Sequence, residues 1–235
     1  MVHKMQSVGA HWRVVDLSVV VDGSTLGPPA AGSPPVLLET TRKGPGHWQS
    51  SRISTLLHTG SHVDSPLHVV ANGATIAGVS LEQVTGEAVV VHVRDVEPRE
   101  AIDAARLEAA RAEPRQGDIL VVRTDWTDRA WGTFPDYYTR SPFLTLDGAR
   151  WIADRGPKAV VVDFFEEECA VSPEFTSEDF VVHRELLGRG IPIVEQATNL
   201  GGIGRDRFLL SAPFFLLEGV EAAPCRILAL LDDAG

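Results

Sequence analysis

His58-Thr59-Gly60-Ser61-His62-Val63-Asp64-Ser65-Pro66-Leu67-His68 gathers three of the chain's eight histidines and one aspartate into eleven positions. Imidazole nitrogens with a carboxylate oxygen, and no thiol, are the donor set that borderline divalent ions such as Zn²⁺ and Mn²⁺ accept. His58 and His62 could share a helix face, but Gly60 between them and Pro66 just beyond argue against a helix. The stretch therefore reads as a strand end running into a tight loop. In extended backbone His62 and Asp64 point to the same side, and Gly60 lets the chain turn so that His58 comes back toward them. Three donors facing one point leave positions open for water or substrate, as a catalytic metal requires. Any of these four side chains taken alone reads as a hydrogen-bonded structural residue. Together they do not, because a merely polar loop would use Ser, Asn and Gly rather than repeated groups that each need a partner when buried.

These residues resemble the His-x-Gly-Thr-His-x-Asp-x-Pro-x-His signature of the metal-dependent cyclase family, with Ser61 where Thr is usual. That family includes bacterial kynurenine formamidases, isatin hydrolases and one type of dienelactone hydrolase. Landmarks of similar spacing extend from Asp16-Leu17-Ser18 to the final strand.

A chain of 235 residues suits a single domain spanning 1–235, and no stretch is long and linker-like enough to divide it. The formal net charge of −11 argues against nucleic acid or an anionic membrane as a partner, since both call for clustered Lys and Arg. Cys169 and Cys225 do not make a disulfide framework in a chain this large, so reduced thiols are expected. Met1 to Gly9 holds no apolar leader core, and nowhere do about eighteen uncharged apolar residues follow one another. The expectation is a cytoplasmic protein.

In chain order, residues 12 to 21 read as an opening strand. Gly27 to Gly46 carries Pro28, Pro29, Pro34, Pro35 and Pro45, and reads as a long ordered loop or lid, or from composition alone as a disordered surface excursion, with little regular structure over most of it. His47 to Leu57 resumes a strand that delivers the metal motif. Ser80 to Thr85 is a helical turn, and Glu87 to Arg94 a valine-rich strand. Ala101 to Ala112 is a breaker-free helix. Gly117 to Thr124 is a strand and Trp126 to Tyr138 an irregular aromatic stretch. Thr145 to Arg155 is a helix stopped by Gly156 and Pro157, with Ala159 to Phe164 a buried strand. Ser177 caps a helix to about Leu187, followed by the strand Ile191 to Glu195. Arg207 to Leu217 and Arg226 to Leu231 close the chain. The class is α/β, and the resemblance implies a swivelling β/β/α architecture, a barrel-like sheet flanked by helices.

His183 has Phe180 and Leu187 at helical spacing, so its imidazole borders an apolar face; alone it reads as a satisfied core histidine. Glu195 ends an apolar strand, where an unpaired carboxylate costs several kcal/mol, and a cation, an arginine or protonation must stabilise it. The resemblance implies the cation: His58, His62 and Asp64 hold one metal, Asp64 and Glu195 can bridge, and His183 binds a second. One or two ions per chain are expected, with His68 left to move protons. Asp163 with Glu166, Glu167 and Glu168 offers an acidic metal site as one reading, but a charge run after a strand reads first as a solvated loop. Ser61 and Ser65 lack the setting of a serine nucleophile, and Gly201-Gly202-Ile203-Gly204 lacks the strand-to-helix context of a dinucleotide site.

The activity that the resemblance implies is hydrolysis of an amide, cyclic amide or lactone by metal-activated water. Kynurenine formamidases carry an early Pro-x-Trp-Pro-Gly-Asp segment whose tryptophan walls the substrate, whereas this chain reads Ser24-Thr25-Leu26-Gly27-Pro28-Pro29. Trp48 is a candidate replacement, and Arg52 the nearest cation for a substrate carboxylate. The ranking expected is therefore a neutral aromatic amide or lactone ahead of N-formylkynurenine. Kynurenine formamidase proper, a biosynthetic cyclase and a non-catalytic metal-binding protein remain the other readings. Family likeness also implies a homodimer or larger, with the Pro-rich segment packed near a neighbour's site.

Overall fold

The computed structural model describes residues 12–29, 32, 34–42, 44–171 and 174–232. Met1 to Gly9, read above for a leader, lie outside the described residues, as do parts of the Gly27 to Gly46 segment. The elements in chain order are β1 (Trp12–Asp16), β2 (Leu37–Arg42), β3 (Gln49–Ser54), β4 (His62–Asp64), β5 (Thr85–His92), β6 (Ala101–Ile102), α1 (Ala104–Ala109) and β7 (Ile119–Arg123). Then come α2 (Trp126–Ala130), α3 (Asp136–Thr139), β8 (Phe143–Leu144), α4 (Leu146–Ala153), β9 (Ala159–Val162), α5 (Val181–Gly188), β10 (Ile193–Glu195), β11 (Arg207–Ser211), β12 (Ala222–Pro224) and β13 (Leu228–Asp232).

Nine strands form one mixed sheet in the order β1-β13-β11-β5-β7-β9-β10-β4-β12. Its centre, β5-β7-β9-β10, is parallel, and every other pairing is antiparallel. The parallel strands read Val89-Val90-Val91, Leu120-Val121-Val122 and Val160-Val161-Val162 because both faces are covered and both must be apolar. On one face Val91, Leu120, Val122 and Val162 pack with Ile152 of α4, Leu186 of α5 and Tyr137. On the other, Val90, Val121 and Val161 meet Leu17, Phe208 and Leu231. Each such side chain contributes about 1.5–3 kcal/mol when fully buried.

The sheet must curl. β12 lies at one edge and β13 seven strand spacings away, about 34 Å across a flat sheet. Only Cys225, Arg226 and Ile227 join them, a reach of about 14 Å. The barrel-like expectation is thus met by a curled, half-barrel sheet with few helices.

Several boundaries differ from the sequence reading. The helix expected over Ala101 to Ala112 starts at Ala104, because the Asp103 carboxylate accepts the Arg106 N–H at its N-terminus, while Ala101–Ile102 pair with Phe143–Leu144. Trp126 to Tyr138 contains the two short helices α2 and α3. Thr176, not Ser177, is the capping residue: its hydroxyl accepts from Glu178 N, and the Asp179 carboxylate accepts from Thr176 N. That cap opens a short 3₁₀ turn, Ser177–Asp179, and α5 begins only at Val181. The strand expected over Arg207 to Leu217 stops at Ser211, before Pro213. Finally, β3 pairs with β2 in an exposed hairpin outside the main sheet and ends at Ser54, so Trp48 is not on the strand that carries the motif.

Candidate metal centre and active site

β4 places His62 and Asp64 on one side, and both are fully buried. The preceding turn needs glycine at position 60: φ is +73°, and a Cβ there would sit 2.3 Å from Val21 Cγ2. That turn returns His58, whose Nδ1 lies 3.0 Å from Asp64 Oδ1 while its Nε2 lies 3.2 Å from Glu221 Oε1. His62 Nδ1 sits 2.7 Å from the Gly60 carbonyl, so with the proton on that nitrogen Nε2 faces Asp64 Oδ1 at 3.4 Å and Glu195 Oε2 at 3.8 Å. The i, i+2 relation and the turning glycine act as the sequence implies.

β10 lies between β4 and β9, and its pairing sets Glu195 opposite His62. α5 packs His183 against this end, with Nε2 3.2 Å from Glu195 Oε1 and 3.4 Å from Asp64 Oδ2. Asp64 therefore touches both halves of the site. The acidic run after β9 is the main correction to the sequence reading: Asp163, Glu166 and Glu167 are buried, and only Glu168 faces solvent. Asp163 accepts from Thr124 N, Thr124 Oγ1 and Asp125 N at 2.7–2.8 Å, tying β9 to the end of β7. Glu167 accepts from His183 Nδ1 at 2.8 Å, and Glu166 Oε1 lies 3.5 Å from His183 Nε2. The signal overlooked was Phe164-Phe165 inside the run, which draws the loop into the core.

With protein charges alone, burial pushes the His58 imidazole down, but Asp64, Glu221 and Glu195 outweigh it and raise its pKa to about 10. His62 and His183 move the same way, the first through Asp64 and Glu195, the second chiefly through Glu166, each against burial. Burial raises Glu166 well above the carboxylate range, with Glu195 adding to it. Burial works against ionised Asp64, yet His58 and His62 hold it well below its usual value. His68 behaves differently: burial, with His183 and His58 beside it, lowers it to about 4 although Asp64 and Glu195 pull upward. That environment favours its neutral form.

His68 ends a 3₁₀ turn, Pro66–His68, with its ring centroid 4.2 Å from that of His58 and 5.2 Å from that of His183. These three, with Glu195, Pro28, Phe165, Phe175 and Phe180, line a cavity of about 120 Å³. Trp48 and Arg52 do not line it within one chain. Trp48 is 45% exposed on the hairpin, and the Arg52 side chain stands in solvent 4.0 Å from Glu39. Phe165, Phe175 and Phe180 were not singled out as site residues from sequence; the Phe180–His183 helical spacing was the available signal.

Three donor groups lie close enough to hold an ion: His58, Asp64 and His68; His62, Asp64 and Glu195; and Glu166, His183 and Glu195, each within 4.8 Å. The residues fit a divalent cation, because His62 Nε2 and both oxygens of Asp64 and of Glu166 are buried with no hydrogen-bond partner among the described residues. Curled sheet and converging imidazoles and carboxylates define a class, an α/β protein built around a candidate divalent-metal centre. The chain belongs to the Cyclase family, whose profile matches residues 15–168. It is 30% identical over 188 residues to the kynurenine formamidase of Erythrobacter litoralis, covering 78% of each chain. Among solved structures it resembles a predicted metal-dependent hydrolase from Bacillus stearothermophilus, with 25% identity, 94% of this chain and 99% of that one covered, and a TM-score of 0.69. Isatin hydrolase A from Labrenzia aggregata shares the fold, with 21% identity, 94% of each chain covered and a TM-score of 0.77.

Proposed function

We propose that this chain, as a single domain, is a metal-dependent hydrolase that opens the acyl C–N or C–O bond of a small aromatic amide, cyclic amide or lactone. The observation that carries this is the meeting of His58 Nδ1 and His62 Nε2 on Asp64 Oδ1, at 3.0 and 3.4 Å, with His58 and His68 both lining an apolar cavity. His58, His62 and Asp64 would hold one Zn²⁺ or Mn²⁺, and His183 and Glu195, with Asp64 between the two sets, would hold a second. When bound, such an ion lowers the pKa of water toward neutrality and polarises a carbonyl. His68 takes a proton from the attacking water and passes it to the leaving nitrogen or oxygen, so that an open-chain amide gives an acid and an amine, while a cyclic amide or lactone opens to one amino or hydroxy acid. Phe165, Phe175 and Phe180 pack the ring and keep bulk water away.

Substrate size and charge follow from the same cavity. Its apolar walls, Pro28, Phe165, Phe175 and Phe180, suit a small aromatic ring held beside His58 and His183. No Arg or Lys is among its described lining residues, which favours a neutral substrate. The relative from Erythrobacter litoralis keeps N-formylkynurenine as the second reading. Trp48 and Arg52 join the site under this reading from a neighbouring copy in a homodimer or higher oligomer. Support comes from a hairpin that leaves Leu37, Leu38, Trp48 and Ile53 45–57% exposed. Free Cys169 and Cys225 agree with a reducing cytoplasm, and among the described residues no helix is long and apolar enough to cross a membrane. The test is kcat/KM for isatin, simple aryl lactones and formanilides beside N-formylkynurenine. Preference for the first group is expected, and a clear preference for N-formylkynurenine would overturn the ranking.

A further inference from the structure

Glu166 is fully buried, and neither of its carboxylate oxygens is hydrogen-bonded among the described residues. Its Oε1 lies 3.5 Å from His183 Nε2, the nitrogen that Glu195 Oε1 and Asp64 Oδ2 approach to 3.2 and 3.4 Å. Three carboxylates from three separate elements thus converge on one imidazole nitrogen. Glu167, its neighbour, acts differently. Its Oε1 accepts from Val182 N, His183 N and His183 Nδ1 at 2.9, 2.8 and 2.8 Å. With its proton on Nδ1, the ring presents the bare Nε2 lone pair to the three carboxylates, the orientation that a ligating histidine takes from an outer carboxylate.

The geometry points to Glu166 as a ligand of a second divalent cation, bound together with His183, Glu195 and Asp64, and to Glu167 as the residue that positions His183 for it. This rests on the metal-dependent reading above and adds to it a ligand from the loop after β9. The surroundings agree: Asp64, Glu166, Glu167 and Glu195 are all buried, and among the described residues the basic side chains beside them are imidazoles, which can ligate, rather than Lys or Arg. Oxygen donors outnumber nitrogen at this second position, so it favours a harder ion such as Mn²⁺ more than the first position does, where two imidazoles contribute.

The experiment is calorimetric titration of chelator-stripped protein with MnCl₂, together with elemental analysis of dialysed samples. The wild type should bind two ions per chain. Glu166→Gln should retain the first and weaken the second at least about tenfold, and Glu167→Ala should weaken the second by about 10–100-fold. Glu167→Gln should restore most of that loss, because its amide oxygen can accept the same three bonds, whereas a merely space-filling Glu167 would show no such difference. Glu166→Gln protein that binds both ions as tightly as wild type overturns the proposal, as does wild type that binds one ion only. Wild type that binds none overturns the metal-dependent reading, and this inference with it. If Glu166→Gln does not fold, anomalous diffraction from wild-type crystals grown with MnCl₂ decides: an ion about 2.0–2.4 Å from a Glu166 oxygen is expected. Ions only beyond about 4 Å from it would refute the role.

Discussion

Replacing Asp64 by asparagine keeps the side chain's shape and removes a charge that touches both halves of the site. Its Oδ1 stands 3.0 Å from His58 Nδ1 and 3.4 Å from His62 Nε2, and its Oδ2 3.4 Å from His183 Nε2. At an effective dielectric of about 20, a carboxylate and a divalent ion about 4 Å apart attract by about 8 kcal/mol. Several kcal/mol of that is offset by the cost of keeping the ionised group out of water, which the asparagine avoids. The remaining loss of about 3–5 kcal/mol corresponds to an affinity lower by about two to three and a half orders of magnitude. Competition against a chromogenic chelator reads this directly on stripped protein, with near-UV circular dichroism of the metal-free forms as the check on folding. His183→Ala, which touches only the second donor group, should cost less metal. A folded Asp64→Asn protein whose affinity falls by less than about tenfold would refute Asp64 as the shared ligand.

His68→Ala should keep its metal and lose about 10²–10⁴-fold in rate, the usual worth of a general acid–base; loss of metal would instead make His68 a ligand. In the metal-free protein His58 is raised from 6.5 to about 10, so it is protonated at neutral pH and must release that proton to ligate. Metal affinity should therefore climb as pH rises from 6.5 toward 10, by up to about tenfold per unit for each proton displaced, and a pH-independent affinity would contradict the charge arrangement. The same shift fixes the sign for the metal-free fold: the stability that charged His58 contributes is fully present below pH 6.5 and lost as pH rises through about 10, as thermal melts across that window would register. Light scattering at micromolar concentration should give a dimer or larger, and Trp48→Ser should weaken that assembly; a monomer would remove the hairpin's proposed role.

The motif could be read because its geometry is local. His62 and Asp64 share a side of β4 by strand alternation, and Gly60 permits the turn whatever surrounds it. His183 and Glu195 needed more, since an apolar helix face and a strand end become a site only when β10 pairs with β4. The acidic run could not be read from spacing, because what makes Glu167 tolerable in the core is a pair of N–H groups at the start of α5 and the ring of His183, fifteen and sixteen residues further on. Composition gives such a run to solvent; tertiary donors bring it inside. Trp48 illustrates the reverse case. A strand-like sequence ahead of the motif suggested one continuous element, but β3 finds its partner in β2, and the chain leaves the hairpin at Ser54 before the turn that carries His58. The late start of α1 has a simpler cause, the preference of Asp103 for capping over continuing a helix.

The central claim is that His58, His62 and Asp64 hold a divalent ion on which hydrolysis depends. Its most direct test follows the rate of isatin or formanilide hydrolysis by chelator-stripped protein as Zn²⁺ or Mn²⁺ is returned in steps, with bound metal counted in the same samples. The rate should be negligible in the stripped protein and rise in proportion to the first equivalent of bound ion. Full activity in excess EDTA, with no transition metal detectable in the protein, would contradict the account.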